Sequence, residues 1–303
     1  MKKILITGGT IFVSRYVAEY FVSHHYDVYV LNRNTRLQVK GVHLIECDRH
    51  NLDNKLKEIH FDIVIDVTAY NASDILDLTN ALGTFEKYIM VSSSAVYPET
   101  GIQPFTEESQ LSENKFWGKY GTDKIAAEKM LLEKVPDAYI LRPPYLYGSM
   151  NNVYREAFVF DCALKDRPFY LPKDGSMELQ FFHVKDLCRF IELIIDTEPE
   201  NHIFNVGNKK AITIKDWVDL CYSCVGKKAN YVNVYDDIEQ RNYFSFYNYE
   251  YHLAVDKQYG LMTEILSMEE GLKEAYEWYK HNSDEVYGKP YLLYIEENLN
   301  IES

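Results

Sequence analysis

The sequence predicts an α/β fold in which a doubly wound parallel sheet is joined to a smaller C-terminal lobe. Three observations predict it: apolar and helical segments alternate in the first half, a glycine pair follows the first apolar run, and serines follow a later one. The apolar runs cover residues 3–7, 27–31, 42–46, 62–67 and 87–92. Because helical or turn segments separate these continuous runs, they favour parallel strands covered on both faces.

The later elements continue this alternation. The run DAYILR predicts a strand that ends at Pro143 and Pro144, since proline lacks the N–H that a sheet ladder needs. A last helix is predicted in SMEEGLKEAYEWYKH, where Ser267 and Glu270 have the spacing of a capping box. Apolar periodicity predicts further helices over residues 154–164, 184–195 and 214–225, and strands over residues 179–182 and 202–206.

Residues 231–259 differ from the rest because tyrosines crowd the stretch YVNVYDDIEQRNYFSFYNYEY. One interpretation is an aromatic packing surface of the smaller lobe. The other is a wall of a substrate pocket, since tyrosine combines an apolar face with a polar tip. The sequence alone leaves both open.

The composition is that of a globular protein, with 303 residues of which 47% are hydrophobic and 26% charged. A net charge of −14 opposes attraction to nucleic acid, so we expect no nucleic-acid partner.

The first apolar run ends at Thr7, too early for a signal peptide or membrane span, so a cytoplasmic protein without a membrane partner is expected. Five cysteines fit reduced thiols, and Cys221 and Cys224 are interpreted as helix thiols. The histidine spacing predicts no metal site.

The stretch TGGTIFVS lies between the first predicted strand and a helical pattern that begins near Tyr16. In this setting a glycine-rich loop and the first N–H groups of a helix bind the pyrophosphate of a dinucleotide. Gly8 and Gly9 are present, but Ile11 and Ser14 stand where two further glycines are usual. We expect dinucleotide binding, in a shifted or weaker pose.

Two further stretches carry chemistry. VSSSAVY places serines at the end of a predicted strand, at the sheet edge where ligands of such folds bind. YGTDK places Tyr120 and Lys124 on one face of a predicted helix. A nearby ammonium lowers the pKa of a tyrosine and makes it a usable acid or base for interconverting a hydroxyl and a ketone.

Together these motifs resemble those of the extended short-chain dehydrogenases/reductases of the NAD-dependent epimerase/dehydratase type, nearly from end to end. TGGTIFVS resembles that family's TGGxGFxG, VSSSAVY its serine strand, YGTDKIAAE its Y-x-x-x-K helix and ILRPPYLYG its LR-x-x-x-x-YG strand. The lost middle glycine is similar to an atypical branch that includes chloroplast stem-loop RNA-binding proteins. The resemblance implies a Rossmann-type domain over residues 1–165, to which segments at about 179–206 return, and a mostly substrate-binding lobe over residues 166–303.

The resemblance also implies residue roles. Ser93 would orient the substrate oxygen, Tyr120 would be the general acid/base, and Lys124 would tune Tyr120 and hold the nicotinamide ribose. The residues implied in binding NADP or NAD are Thr7, Gly8, Gly9, Thr10, Ile11, Phe12, Asn32, Arg33, Asp48, Thr68, Ala69, Tyr120, Lys124 and Pro143. The residues implied on the substrate side are Tyr70, Ser94, Tyr145, Arg155 and Arg241. Asp66 is expected beside the nicotinamide, either as an additional acid or base or as a structural carboxylate.

Cofactor choice depends on the end of the second strand. A carboxylate there would accept hydrogen bonds from the adenine ribose and repel a 2′-phosphate. The sequence offers Asn32 followed by Arg33, and a guanidinium pairs well with phosphate, which slightly favours NADP over NAD.

The substrate side departs further from the family pattern. Where nucleotide-sugar members carry an Arg-Asp pair and a second arginine for the substrate diphosphate, this chain has Leu179, Gln180 and Phe246. A diphosphate would need other donors, such as Arg155 or Arg241, because burying an unpaired dianion is costly. The Asp-Glu pair of 4,6-dehydratases is also replaced, so dehydration is disfavoured.

The sequence therefore predicts an NAD(P)-dependent oxidoreductase or epimerase that acts on a hydroxyl or keto carbon of a small sugar or nucleotide-sugar-like substrate. Whether it is an epimerase or a reductase stays open. A homodimer through the helices that carry Y-x-x-x-K is implied by the resemblance. The alternative is a catalytically degenerate protein that uses the same fold to bind RNA or protein.

Overall fold

The structure, a computed structural model, describes residues 1–299. The strands are β1 Lys3–Thr7, β2 Asp27–Asn32, β3 His43–Glu46, β4 Phe61–Asp66, β5 Phe85–Val91, β6 Tyr139–Arg142, β7 Tyr145–Tyr147, β8 Phe169–Pro172, β9 Glu178–Leu179, β10 Phe181–His183, β11 Ile203–Asn205, β12 Ile212–Thr213 and β13 Tyr231–Val234. The helices are α1 Phe12–Ser23, α2 Ala72–Ala81, α3 Lys119–Lys134, α4 Glu156–Leu164, α5 Val184–Thr197, α6 Ile214–Val225, α7 Asp256–Leu261, α8 Met268–Asn282 and α9 Tyr291–Asn298.

These elements form two compact units, each made of several chain segments. The first unit comprises Met1–Leu146, Phe181–Lys209 and Leu253–Ile265. The second comprises Tyr147–Gln180, Lys210–His252 and the chain from Leu266 onward. The chain thus passes into the second unit after Leu146, whereas the sequence places the boundary at 165. Helix α4, which lies between these two positions, packs on α6 and α8 of the second unit.

The first unit contains a seven-stranded sheet in the order β11-β6-β5-β4-β1-β2-β3, with every neighbouring pair parallel. Alternate residues of each strand enter two different cores, as the pleat requires. Along β1, Ile4 and Ile6 pack with α1 and α5, whereas Leu5 packs with α2 and α3. Helices therefore cover both faces, and the predicted doubly wound α/β fold is confirmed.

The second unit is built around α4, α6 and α8, which pack on one another. Its strands form two small sheets, with β8 parallel to β13 and β9 antiparallel to β12. Within the tyrosine-rich segment, Tyr243, Tyr249 and Tyr251 are buried, while Tyr235 is 71% exposed. The packing interpretation of this segment is therefore confirmed for these three residues.

Most predicted elements are present, with differences at their ends. The capping box of α8 forms as predicted, with Ser267 Oγ accepting from the N–H of Glu270. Helix α1 begins at Phe12 instead of near Tyr16, because Ile11 already has the extended backbone of an N-cap residue. The predicted strand 179–182 is divided into β9 and β10, with Gln180 between them. Within residues 1–299, no helix has both the length and the apolar composition needed to span a bilayer.

Candidate active site

The first strand leads into a loop that favours glycine. Gly8 and Gly9 follow Thr7 with φ of +91° and +94°, in the region where side chains are strained. A Cβ on Gly8 would lie 2.8 Å from Ser14 Oγ, and a Cβ on Gly9 would lie 2.6 Å from Val30 Cγ1. The glycine pair therefore keeps the backbone close to β2 and to the start of α1, as a phosphate-binding turn requires.

Ile11 and Ser14, which stand where two further glycines are usual, differ in exposure. Ile11 is 39% exposed, and the buried Ser14 donates a hydrogen bond to its carbonyl at 3.0 Å. Phe12 begins α1 with φ of +32°, which is uncommon for a residue other than glycine, and the half-buried Thr10 precedes them. Within Phe12–Ser23 no acidic side chain lies in the first turn and none caps the helix, so its first N–H groups remain suited to an anion.

The ends of β2 and β3 border a surface depression of about 320 Å³ beside this loop. Asn32 Nδ2 donates to the Gly8 carbonyl at 2.7 Å, which ties the end of β2 to the glycine loop. Two predicted cofactor residues, Arg33 and Asp48, both line the depression. The full lining is Arg33, Glu46, Cys47, Asp48, Asn51, Asp53 and Lys55. The depression thus carries both signs of charge, and this composition leaves the choice between NAD and NADP open.

Asp66, at the end of β4, is completely buried and accepts four hydrogen bonds. Thr7 Oγ1 and Tyr88 OH each donate at 2.6 Å, and the two terminal nitrogens of Arg49 donate at 3.3 and 3.0 Å. Burial raises the pKa of the Asp66 carboxyl, but the charge of Arg49 and these hydrogen bonds outweigh burial and lower it. A carboxylate that is kept ionised and surrounded by donors is structural. These contacts favour the structural interpretation of Asp66 over its use as an additional acid or base.

The loop after β4 brings three predicted residues to α3. Thr68 follows the strand, and its Oγ1 accepts a hydrogen bond. Tyr70 has a 53% exposed side chain, and its N–H donates to Asp74 Oδ2 at 2.7 Å. Ala69 lies between them, fully buried, and its carbonyl accepts from Lys124 Nζ at 2.7 Å. The loop therefore provides a direct hydrogen-bond partner for the predicted catalytic lysine.

The serines after β5 differ in exposure and partners. Ser92 is buried and donates to Glu128 on α3. Ser94 is also buried, and its N–H donates to the Pro143 carbonyl at 2.9 Å. Ser93 is partly exposed, and its Oγ accepts from the N–H two residues later at 3.2 Å. Of the three hydroxyls, Ser93 is thus the one that a ligand at this sheet edge can reach.

Helix α3 approaches these serines closely because of a glycine. A Cβ on Gly121 would lie 2.5 Å from the carbonyl oxygen of Ala95, in the turn Ser94–Val96 that follows Ser93. Tyr120 and Lys124 lie one helical turn apart on α3 and so share a face. The structure therefore places the predicted Ser93, Tyr120 and Lys124 on two elements in contact, at the carboxyl edge of the sheet.

Lys124 is almost fully buried, with 2% of its surface exposed. Its Nζ donates to the carbonyls of Ala69 and Val91 at 2.7 and 3.0 Å and lies 5.3 Å from the centre of the Tyr70 ring. Burial lowers the pKa of Lys124 to about 8, although Asp66 and two other nearby carboxylates act in the opposite direction. The ammonium is therefore easier to deprotonate than that of an ordinary lysine.

A buried ion pair fixes α3 to the neighbouring strands. Arg142, the last residue of β6, places Nη2 2.6 Å from Glu128 Oε2, and both side chains are 3% exposed. Arg142 also donates to Tyr97 OH at 2.9 Å, and Ser92 binds the same glutamate. This pair holds the helix that carries Tyr120 against the ends of β5 and β6.

Comparison with known proteins identifies the family. Residues 4–207 match the family model described as the NAD dependent epimerase/dehydratase family, which is more than half of the chain. The chain belongs to this family.

Several proteins and solved structures are similar to this chain over most of its length. It is 26% identical to the chloroplast stem-loop binding protein of 41 kDa b from Arabidopsis thaliana, covering 91% of this chain and 78% of that protein. It is 24% identical to a putative UDP-glucose 4-epimerase from Methanocaldococcus jannaschii, covering 92% and 99%. The crystal structure of dTDP-glucose 4,6-dehydratase from Bacillus anthracis in complex with NAD has a TM-score of 0.76 at 20% identity, covering 94% and 99%. At that identity the likeness establishes the fold.

The second unit brings the two arginines predicted to bind substrate close to one segment. The Arg155 guanidinium lies 5.8 Å from the centre of the Phe246 ring. The Arg241 guanidinium lies 5.0 Å from the centre of the Tyr247 ring and donates to the Ser245 carbonyl. Phe246, which replaces the family arginine, is 1% exposed. The arginines thus contact the segment where the usual cation is missing.

In the first unit, Tyr145, one of the residues implied on the substrate side, is 5% exposed. Its ring centre lies 5.9 Å from that of Trp117 and 6.0 Å from that of Phe181. The structure therefore places this predicted substrate residue in an aromatic cluster.

Within residues 1–299, two groups of side chains of the types that bind metal ions lie outside the predicted site. In each, the potential ligand atoms lie within 4.8 Å of one another, and the groups are His60, Asp62 and Glu86, and Glu178, Glu250 and His252. Each group has one histidine and combines a pair two residues apart with a carboxylate from a distant segment, so the spacing between histidines gave no sign of it. Cys221 and Cys224 lie on α6 as predicted, and burial raises the pKa of the Cys224 thiol to about 11.

Two residues that position the site were not anticipated from the sequence. Arg49 holds Asp66, and Gly121 allows α3 to approach the serine turn. The sequence did contain an indication for Gly121, because a glycine inside a predicted helix often marks a place where another part of the backbone packs closely against the helix. Arg49 gave none, since its partners lie far away along the chain.

Proposed function

We propose that this family member is an NAD(P)-dependent epimerase or reductase acting on a hydroxyl or keto carbon of a sugar or nucleotide-sugar-like substrate. The nicotinamide supplies the hydride acceptor and donor. Tyr120 exchanges the hydroxyl proton, Ser93 orients the reacting oxygen, and Lys124 favours the phenolate of Tyr120 and binds the nicotinamide ribose. As an epimerase the protein would retain the cofactor and return the hydride to the other face of a transient ketone, whereas as a reductase it would release the cofactor.

The observation that carries this proposal is the buried ammonium of Lys124. It is 2% exposed and has two backbone carbonyls as hydrogen-bond acceptors. Burying a cation in this way is costly, and perturbed ionisable groups concentrate at functional sites. Lys124 bonds the carbonyl of Val91, two residues before Ser93, and lies on one helical face with Tyr120, which supports a catalytic role for the buried ammonium.

The residues present fit a dinucleotide. Gly8 and Gly9 form a cradle that a Cβ would fill, and the uncapped start of α1 favours a pyrophosphate. The depression beside Arg33 and Asp48 suits an adenosine. We therefore assign the pyrophosphate to the glycine loop and the adenosine to the depression.

For the substrate, we propose that Arg155 and Arg241 supply the positive charge that a diphosphate needs. Their contacts with the segment at Phe246 support this assignment. Reduction or epimerisation is favoured over 4,6-dehydration, because Ser94 and Ala95 stand where the dehydratases carry an Asp-Glu pair.

The test begins with the protein as isolated, examined for bound nucleotide and then titrated with NADH and NADPH by nicotinamide fluorescence. UDP- and dTDP-sugars are then screened for turnover. Tyr120→Phe should lower turnover by about 10²–10⁴-fold, because it removes the acid/base hydroxyl, and should leave cofactor affinity within about twofold.

Tyr139→Phe is a matched control, since its hydroxyl bonds the Pro199 carbonyl at the opposite end of β6. It should retain full turnover. Unchanged turnover in Tyr120→Phe would show that the proposed acid/base role is wrong.

The alternative function is RNA binding, which the similarity to a chloroplast stem-loop binding protein favours. A net charge of −14 opposes it. If the protein binds neither nicotinamide form at millimolar concentration but shifts a stem-loop RNA in a salt-dependent way, the alternative replaces the enzyme proposal.

A further inference from the structure

We propose that Arg49 is a positioning residue for the nicotinamide half of the site. It would hold the loop of residues 67–70 in the conformation in which the Ala69 carbonyl receives the Lys124 ammonium. This inference rests on the proposed function, because it assumes that a nicotinamide cofactor binds beside Lys124. It assigns a role to a residue that does not itself touch the reacting atoms.

The geometry of Arg49 supports this role. Its side chain is 13% exposed and its guanidinium joins three elements. Nη1 donates to Thr68 Oγ1 at 2.9 Å, and Nη2 donates to the Asp74 carbonyl at 2.8 Å. Both nitrogens also donate to Asp66, and Nε lies 3.5 Å from Asp74 Oδ1. The planar fork of arginine suits such a set of acceptors better than the point charge of lysine.

These contacts fix the loop on both sides of Ala69. Before it, Thr68 is held through its side chain by Arg49 and through its N–H by Thr7 Oγ1 at 3.1 Å. After it, the Tyr70 N–H is held by Asp74, whose backbone carbonyl Arg49 also binds. The Ala69 carbonyl therefore has little freedom, and Lys124 donates to it at 2.7 Å.

Replacing Arg49 alone would change both the stability of the fold and the position of the loop, so the two effects could not be separated. Without Arg49, the buried Asp66 would keep its bonds from Thr7 and Tyr88 but lose its counter-charge, which destabilises the fold as a whole. In the double variant R49M/D66N the charge is removed together with Asp66, its closest carboxylate partner, and the Asp74 carboxylate keeps His50 at 3.3 Å, so most of the stability should return. The bonds to Thr68 and to the Asp74 carbonyl stay absent, which isolates positioning from stability.

The experiment compares NADH, which spans the whole site, with ADP, which lacks the nicotinamide half. Affinities are measured by NADH fluorescence and by displacement of NADH with ADP. In R49M/D66N we expect NADH to bind about tenfold more weakly, because the loop beside Lys124 loses the two hydrogen bonds from Arg49 that fix it. ADP should bind within about twofold of wild type. R49K should fall between this variant and wild type.

Leu187→Ala is the control for instability alone. Leu187 is fully buried on α5, on the other face of the sheet from α2 and α3. This variant should lower the thermal midpoint and leave both affinities unchanged.

Two results would overturn the inference while the proposed function stands. One is wild-type NADH affinity in R49M/D66N, and the other is an equal loss of NADH and ADP affinity. Wild-type protein that binds neither ligand would overturn the proposed function and this inference with it.

Discussion

The burial of Lys124 predicts an unusual dependence of stability on pH. Its pKa falls from the ordinary 10.5 to about 8 because burial disfavours the charged form. Between these two values the unfolded chain binds a proton that the folded chain has released. The free energy of unfolding must therefore rise with pH across this window.

The magnitude follows from the difference between the two pKa values. At roughly 1.4 kcal/mol per pKa unit, a fall from 10.5 to about 8 corresponds to about 3 kcal/mol. This penalty is present in full below pH 8, disappears progressively as the pH rises, and is absent above pH 10.5. Lys124→Met removes the titrating group and so removes this dependence.

The assay is urea unfolding of wild type and Lys124→Met at intervals from pH 7 to pH 10.5. The wild type should gain up to about 3 kcal/mol relative to the variant between pH 8 and pH 10.5. The tyrosines titrate in both proteins, so their contribution cancels in the difference. Lys119→Met, at an 84% exposed position on the same helix, is the control for replacing a surface lysine in the same assay. A flat difference for Lys124→Met would refute the reasoning.

Two further predictions concern the framework of the site. Gly9→Ala should lower stability by about 2 kcal/mol and weaken NADH binding, because φ is +94° and the new Cβ would lie 2.6 Å from Val30. Gly260→Ala, where a Cβ meets nothing within 4 Å, is its control in the same unfolding and titration assays, and equal behaviour of the two would contradict the argument. Arg142→Met should cost about 3–5 kcal/mol in urea unfolding, because it leaves Glu128 buried without its partner. R142M/E128Q should recover most of this loss, and equal instability of both variants would count against an unpaired charge as the cause.

The elements and motifs that sequence predicts well are those specified locally. The strands leading to Gly8 and Ser93 were found because apolar runs and turn residues are adjacent in the chain. Tyr120 and Lys124 were placed on one helical face because a spacing of four fixes their relative direction. These local rules located the sheet edge and the predicted catalytic residues.

Contacts between distant segments account for most of what the sequence did not reveal. Arg49 reads as a polar loop residue beside Asp48, yet it ends 3.0 Å from Asp66, a residue 17 positions away. Without that partner, Asp66 looks equally like an acid/base or a structural carboxylate. Likewise, Arg155 is 91 positions from Phe246, and only folding brings its guanidinium to the segment beside which Arg241 already lies in the chain.

The contact between Gly121 and the Ala95 carbonyl determines which part of Tyr120, its backbone or its side chain, the fold holds in place. The Tyr120 side chain is 41% exposed, so side-chain packing constrains it only in part. The backbone beside it leaves no room for a single added carbon, since a Cβ at Gly121 would lie 2.5 Å from that carbonyl. The structure therefore restricts the backbone that carries Tyr120 more tightly than the Tyr120 ring. Any enlargement at Gly121 would displace the point from which the tyrosine extends, even though the tyrosine itself is unchanged.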